Sequence, residues 1–180
     1  MKKFVFGVFA LVFAFAVANT SVSAQMYSAK SNEKDIVDTA VATESLSTLV
    51  AAVKAAGLVE TLKSKGPFTV FAPVNDAFAK LPAGTVETLL KPENKATLTA
   101  VLTYHVVAGK IEAKDVLAAI KKGNGKAELT TVQGGKLSAM LDGKDVILMD
   151  EKGGKSKVVM VDVKTSNGVV HVIDTVVLPK

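Results

Sequence analysis

The 180-residue chain contains no cysteine, no tryptophan and no arginine. Without cysteine there is no disulfide, no thiol nucleophile, no Cys-ligated zinc and no lipid-modified cysteine, so stability has to come from a packed core. All 22 positive charges are lysines, spread among 17 acidic residues. Proteins that read nucleic acids use arginine for bidentate contacts and aromatics for stacking. A chain with neither arginine nor tryptophan is therefore read as having no nucleic-acid partner. Two isolated histidines, His105 and His171, each flanked by apolar β-formers, do not suggest a metal centre, which needs three or four ligands, and no cofactor is implied.

The chain opens with Lys2 and Lys3, an apolar run from Phe4 to Ala18, and the small-residue stretch Ser21–Ala24. This is the order of a signal peptide, and the run falls short of the ~20 apolar residues that a membrane span requires. The expectation is cleavage after Ala24 and release to the periplasm or medium, with no stable membrane insertion thereafter. Removing Lys2 and Lys3 lowers the formal charge from +5 to +3, and five of the eight phenylalanines leave with the segment. About 155 residues remain, one domain by length, enough to bury roughly 70% of the surface that the unfolded chain exposes.

Residues 25–34 read as a polar lead-in and 35–180 as the domain. Between Asp35 and Gly66 two helical patterns are separated by Gly57. In the longer one Leu46, Leu49, Val50 and Val53 form one stripe, with Ser45 or Ser47 as the expected N-cap. "FTVFA" between Pro67 and Pro73 is a strand, and Asn75 is expected to cap a short helix that carries Asp76 in its first turn, where a negative charge contributes about 0.3–1 kcal/mol. Two more helices follow, the second opened by Pro92 and carrying Leu98, Val101 and Leu102 on one face. "TYHVVAGKI" reads as a strand, and Ala113–Ile120 as a further helix stopped at Lys121-Lys122-Gly123. From Ala127 the period changes to two, with Gly134-Gly135, Asp142-Gly143, Gly153-Gly154 and Asn167-Gly168 as turn signals. The pattern is an antiparallel meander, and helices first with strands later make an α+β domain.

Catalytic motifs are not completed. There is no G-x-S-x-G elbow, and the acidic residues are not paired in an aromatic-lined stretch. Gly154-Lys155-Ser156 lacks the first glycine of a phosphate loop, since position 149 is Met149, and a strand follows instead of a helix. Asp142-Gly143-Lys144-Asp145 lacks the spacing of a calcium loop. His171 and Asp174, three apart in an apolar strand, would face opposite sides and cannot act together.

Three stretches, "FTVFAPVNDAF" (68–78), "LTYHVV" (102–107) and "NGVVHVIDTVVLP" (167–179), taken in that order resemble the homology blocks and Tyr-His motif of the fasciclin (FAS1) family, in the manner of a bacterial-type secreted single-domain member. The resemblance runs over about 35–180. It implies a β-wedge of about seven mostly antiparallel strands with a flanking helical layer, no enzymatic activity, and a role in adhesion or extracellular matrix contact. Because binding hot spots favour tryptophan, tyrosine and arginine, the composition makes the expected contact with a cell-surface or matrix protein or polysaccharide weak and useful only through multivalent display. By position, the family's receptor-contact motif falls on Tyr104 and His105. From the residues themselves, both histidines, with Asn75, Asp76 and Asp174, read as structural fixtures: an orphaned buried polar group costs about 1–3 kcal/mol, so buried imidazoles are kept hydrogen-bonded. The alternative function, from the Val/Leu/Met-rich strands and from algal relatives that bind carotenoids, is a carrier of an apolar carotenoid- or lipid-like molecule.

Overall fold

The computed structural model describes residues 34–180; the expected signal peptide and most of the polar lead-in lie outside the described residues. Three helices come first: α1 (Ile36–Val41), α2 (Ser47–Ala56), preceded by a 3-10 turn at Glu44–Leu46, and α3 (Val59–Lys63). The region read as two helical patterns thus holds three. Gly57, at φ 74°, ends α2 in the left-handed conformation that glycine adopts without steric cost. Strand β1 (Phe68–Pro73), helices α4 (Asn75–Ala79), α5 (Thr85–Leu90) and α6 (Lys95–Tyr104), strand β2 (Val106–Ala108) and helix α7 (Ala113–Lys122) follow. The meander is β3 (Lys126–Thr130), β4 (Lys136–Asp142), β5 (Asp145–Met149), β6 (Lys155–Thr165) and β7 (Gly168–Ile173).

The strands form one seven-stranded sheet in the order β2-β1-β7-β6-β5-β4-β3, antiparallel except for the parallel pair β1 and β7. The two ends of this order meet: Val107 bridges to Thr131, and the Val132 N–H donates to the Val106 carbonyl at 2.7 Å. The sheet is therefore nearly a closed barrel, which removes much of the open edge on which strands of other chains could pair.

All six residues of β7 are buried, which follows from its place between two cores. On one face Val170 and Val172 pack with Leu49, Val53, Leu62 and Leu102 of the helical layer. On the other, Ile173 joins Phe71, Tyr104, Ile120, Leu137 and Leu148. A near-unbroken Val/Ile run is the sequence signature of a strand covered on both sides.

The turn into β7 differs in register from the expected Asn-Gly turn. Thr165 pairs with Gly168, so Ser166 and Asn167 are the two loop residues and Gly168 is already in the strand. Gly168 is required for a different reason: a Cβ there would collide with the Phe68 carbonyl of β1. Asn167 ties the helical layer to this turn. Its Oδ1 accepts from the Ile36 N–H at 3.1 Å, and its Nδ2 donates to the carbonyls of Leu62 at 2.7 Å and Ser64 at 3.1 Å. Replacing it with alanine leaves these groups at the ends of α1 and α3 without partners. Asn167→Ala is expected to lower the unfolding free energy by about 1–3 kcal/mol, seen as a lower urea midpoint with unchanged slope; an unchanged midpoint would contradict the staple.

Candidate functional site

The sequence reading placed Tyr104 and His105 in a strand. Instead Tyr104 is the last residue of α6 and His105 its αR C-cap, with β2 starting one residue later. A helix end followed by a turn into a strand lets both side chains point inward, and they are 0% and 2% exposed. The Tyr104 hydroxyl donates to the Lys136 carbonyl at 2.7 Å and accepts from the Glu151 N–H at 3.3 Å. Burial raises its pKa, keeping the phenol neutral. The ring lies against Gly135, where a Cβ would sit 2.7 Å from ring carbon Cε2, so Gly135 is fixed by packing. In this arrangement neither residue is presented to a partner.

The hydrogen bonds of the two histidines define their tautomers. At His105, Nε2 accepts from the Val177 N–H at 3.3 Å, so Nδ1 carries the proton and donates to the Val101 carbonyl at 2.8 Å. At His171, Nδ1 accepts from the Asp162 N–H at 3.3 Å, so Nε2 carries the proton and donates to the Ile111 carbonyl at 2.9 Å. The His171 ring also stacks on Phe71, with centroids 5.6 Å apart. Both imidazoles have every nitrogen engaged by the backbone, which leaves none to act as a base or a metal ligand. Among the described residues no three His, Asp or Glu side chains converge as a metal site would need.

Asn75 does not cap its own helix: it is the first residue of α4, and Val74 stands at the N-cap. Its Oδ1 accepts from the Thr48 N–H at 3.0 Å, while its Nδ2 donates to the Glu44 carbonyl and to Ser47 Oγ. It therefore caps α2 across a 27-residue separation, the job expected of Ser45 or Ser47. Asp76 lies in the first turn of α4. Asp174 sits just past β7, not on its opposite face, with Oδ1 accepting from the Lys157 N–H at 2.9 Å and Oδ2 paired with Lys80 at 3.3 Å. Burial works against its charge, but the bonds from Lys157 N–H, Thr175 and Lys80 outweigh it and hold the carboxyl below the ordinary carboxylate range.

Other polar fixtures were missed by the sequence reading. Asp150 is buried, accepts from Lys152 and Gly154 N–H through Oδ1, and takes the Leu178 N–H of the closing segment on Oδ2 at 3.0 Å. Asp162 sits at φ 57° in an irregular stretch of β6, donates its N–H to His171 and caps α7 by accepting the Ala113 N–H at 2.7 Å. The signal was an aspartate interrupting Val-Val-Met-Val-Asp-Val in a run otherwise read as alternating strand. Buried Thr69 donates to the Gly109 carbonyl and accepts from the Ile111 N–H.

The family model described as the fasciclin domain matches residues 44–179. The chain belongs to the fasciclin-domain family. It is 54% identical over 145 residues to Protein sll1483 of Synechocystis sp., covering 80% of this chain and 73% of that one. It is 37% identical over 139 residues to the cell surface glycolipoprotein MPB83 of Mycobacterium bovis, covering 74% of this chain and 56% of the relative. Among solved structures, a fasciclin-domain pair from the insect cell adhesion molecule fasciclin I superposes with a TM-score of 0.58 at 22% identity, covering 74% of this chain and 45% of that one. The fold is thus the fasciclin fold, an α+β sheet with its helical layer. In this member the motif residues Asn75, Tyr104, His105 and His171 all engage internal partners.

Burial pulls the pKa of His105 from 6.5 down to about 4, against the opposing effects of its bond to Val101 and the Asp150 charge. A neutral histidine favoured by folding stabilises the protein above the unfolded value of 6.5, and that stability is lost as the pH falls toward about 4. The difference corresponds to roughly 3 kcal/mol. Chemical denaturation from pH 7 to 4 is expected to show a decline in stability that is larger by this amount in the native chain than in His105→Gln; equal declines would contradict the buried neutral imidazole.

Proposed function

We propose that the chain is an exported, non-enzymatic fasciclin module that makes weak contacts with a cell-surface or matrix component, protein or polysaccharide, and that multivalent display makes those contacts useful. The observation that carries this reading is how the side chains are distributed. The polar and aromatic motif residues are spent on internal hydrogen bonds, whereas Val159, Met160 and Val161 of β6 stand 53%, 56% and 45% exposed. A contiguous apolar run facing water marks an interaction surface more often than scattered apolar residues do. Binding hot spots favour tryptophan, tyrosine and arginine, and the described residues offer only the buried Tyr104, so a single contact is expected to fall in the millimolar to micromolar range.

Family membership supports the reading, since one relative is named as a cell-surface protein and the shared fold occurs in a cell adhesion molecule. Among the described residues no helix is long and apolar enough to cross a membrane. Export rests on residues 1–24, and on this reading Tyr104 and His105 act by holding the frame, not by touching the partner.

The test is retention of cell-envelope and matrix fractions on beads that carry the chain at high density, with the free monomer as comparison. Beads are expected to hold material that the monomer binds only weakly, and the double substitution Val159→Asp, Met160→Asp to lose it with the melting temperature nearly unchanged. Retention that survives the double substitution, or nanomolar binding by the monomer, would contradict the proposal.

A further inference from the structure

In a regular strand successive side chains face opposite sides, so a strand with one face on a core should show only every second residue to solvent. Val159, Met160 and Val161 of β6 are nonetheless all exposed. The pairing with β7 gives the reason: between Val158 and Met160, and again between Met160 and Val163, β6 uses one residue more than the strand beside it. Each extra residue is a bulge that breaks the alternation and bends the strand. On the other edge β5 pairs with β6 only at Lys155, Ser156 and Lys157, so from Val158 onward no strand among the described residues pairs with that edge.

Met160 therefore stands at the centre of an apolar run, on a strand that is bulged and open on one side. Its sulfur is soft and reachable, and the chain has no cysteine to compete for an oxidant. The other two described methionines are half-buried inside paired strands: Met140 lies between Lys126 and Ile147, and Met149 between Ser138 and Lys155. Met160 belongs to none of the core clusters, so a change of its polarity alters the surface and leaves the packing of the fold alone. A sulfoxide there puts a strong hydrogen-bond acceptor into a run of apolar atoms, and covering it in a dry contact costs free energy.

We propose that Met160 is a site of reversible oxidation by hydroperoxides and that its sulfoxide switches off the apolar β6 surface. The inference rests on the reading of the β6 run as the contact surface and names how that surface is regulated. The thioether sulfur attacks one peroxide oxygen, and the S–O bond forms as the O–O bond breaks. The departing hydroxide takes the proton of the transferred oxygen and leaves as water, so the sulfur is oxidised by two electrons and the peroxide is reduced. Reversal needs two thiols, which this chain lacks; a separate methionine sulfoxide reductase supplies them, its thiols ending as a disulfide and the oxygen leaving as water.

The mature chain is treated with hydrogen peroxide and followed by peptide mass mapping. In the folded chain the Met160 sulfoxide is expected to form at least about tenfold faster than those of Met140 and Met149, and in urea at about the same rate as both. The singly oxidised chain is then compared with the untreated one by melting temperature, by elution from a hydrophobic-interaction column and by retention of envelope material on dense beads. Melting is expected to stay nearly unchanged, elution to come earlier and retention to fall by at least about fivefold, with reductase and dithiol restoring both. Met160→Leu, which keeps every other methionine, is expected to elute and retain alike before and after peroxide, whereas the double substitution Met140→Leu, Met149→Leu responds as the native chain does. Because the column contains no partner, its elution shift decides this inference even if the beads retain nothing, an outcome that counts against the adhesion reading instead. Equal oxidation rates at the three methionines in the folded chain, elution unmoved by oxidation, or a peroxide response that persists in Met160→Leu would each overturn the proposal.

Discussion

The structure depends on one constraint: β7 is buried on both faces and hydrogen-bonded on both edges, parallel to β1 and antiparallel to β6. Such a strand has no side from which water can reach it, so its side chains are either apolar or fully hydrogen-bonded. Val170 and Val172 seat the helical layer, Ile173 seats the second core, and His171 satisfies both ring nitrogens with backbone from β6 and the segment before α7. Gly168 sets how closely β1 approaches, and Asn167 fastens α1 and α3 to the same turn. Helical layer, first strand and meander are thus held in place by a segment of seven residues.

The remaining polar fixtures repeat this logic at a distance. Asn75 caps α2 from another helix, Asp162 caps α7 from a strand, and Asp150 takes the closing segment's N–H at Leu178. His105 joins the end of α6 to the Val177 N–H beyond β7. Each bond joins segments far apart in sequence, so it contributes only once the tertiary fold is present, and each partner left alone would cost about 1–3 kcal/mol. Polar residues used in this way hold distant segments of the chain together.

Much of the fold was legible in the sequence because it rests on local rules. The strand bracketed by Pro67 and Pro73, the helices marked by apolar stripes, Pro92 at the first turn before α6, and the meander after Ala127 follow from periodicity and turn residues. What was misread depends on partners far along the chain. Asn75 looked like a cap for the helix beside it because capping is usually local. Tyr104-His105 looked like strand because Tyr-His-Val-Val is rich in β-formers, whereas burial of the α6 stripe carries the helix two residues further, to Tyr104. The irregular stretch at Asp162 was hidden inside an apparent alternation, and the Asn-Gly pair signalled the turn but not its register.

The central claim is that the motif histidines are internal fixtures held in opposite tautomers by the backbone around them. Ring nitrogen-15 chemical shifts and long-range couplings at neutral pH test it directly. The account predicts that His105 is protonated on Nδ1 and His171 on Nε2, each as a single slowly exchanging neutral species. Rings that average between tautomers, or that share the same one, would contradict it.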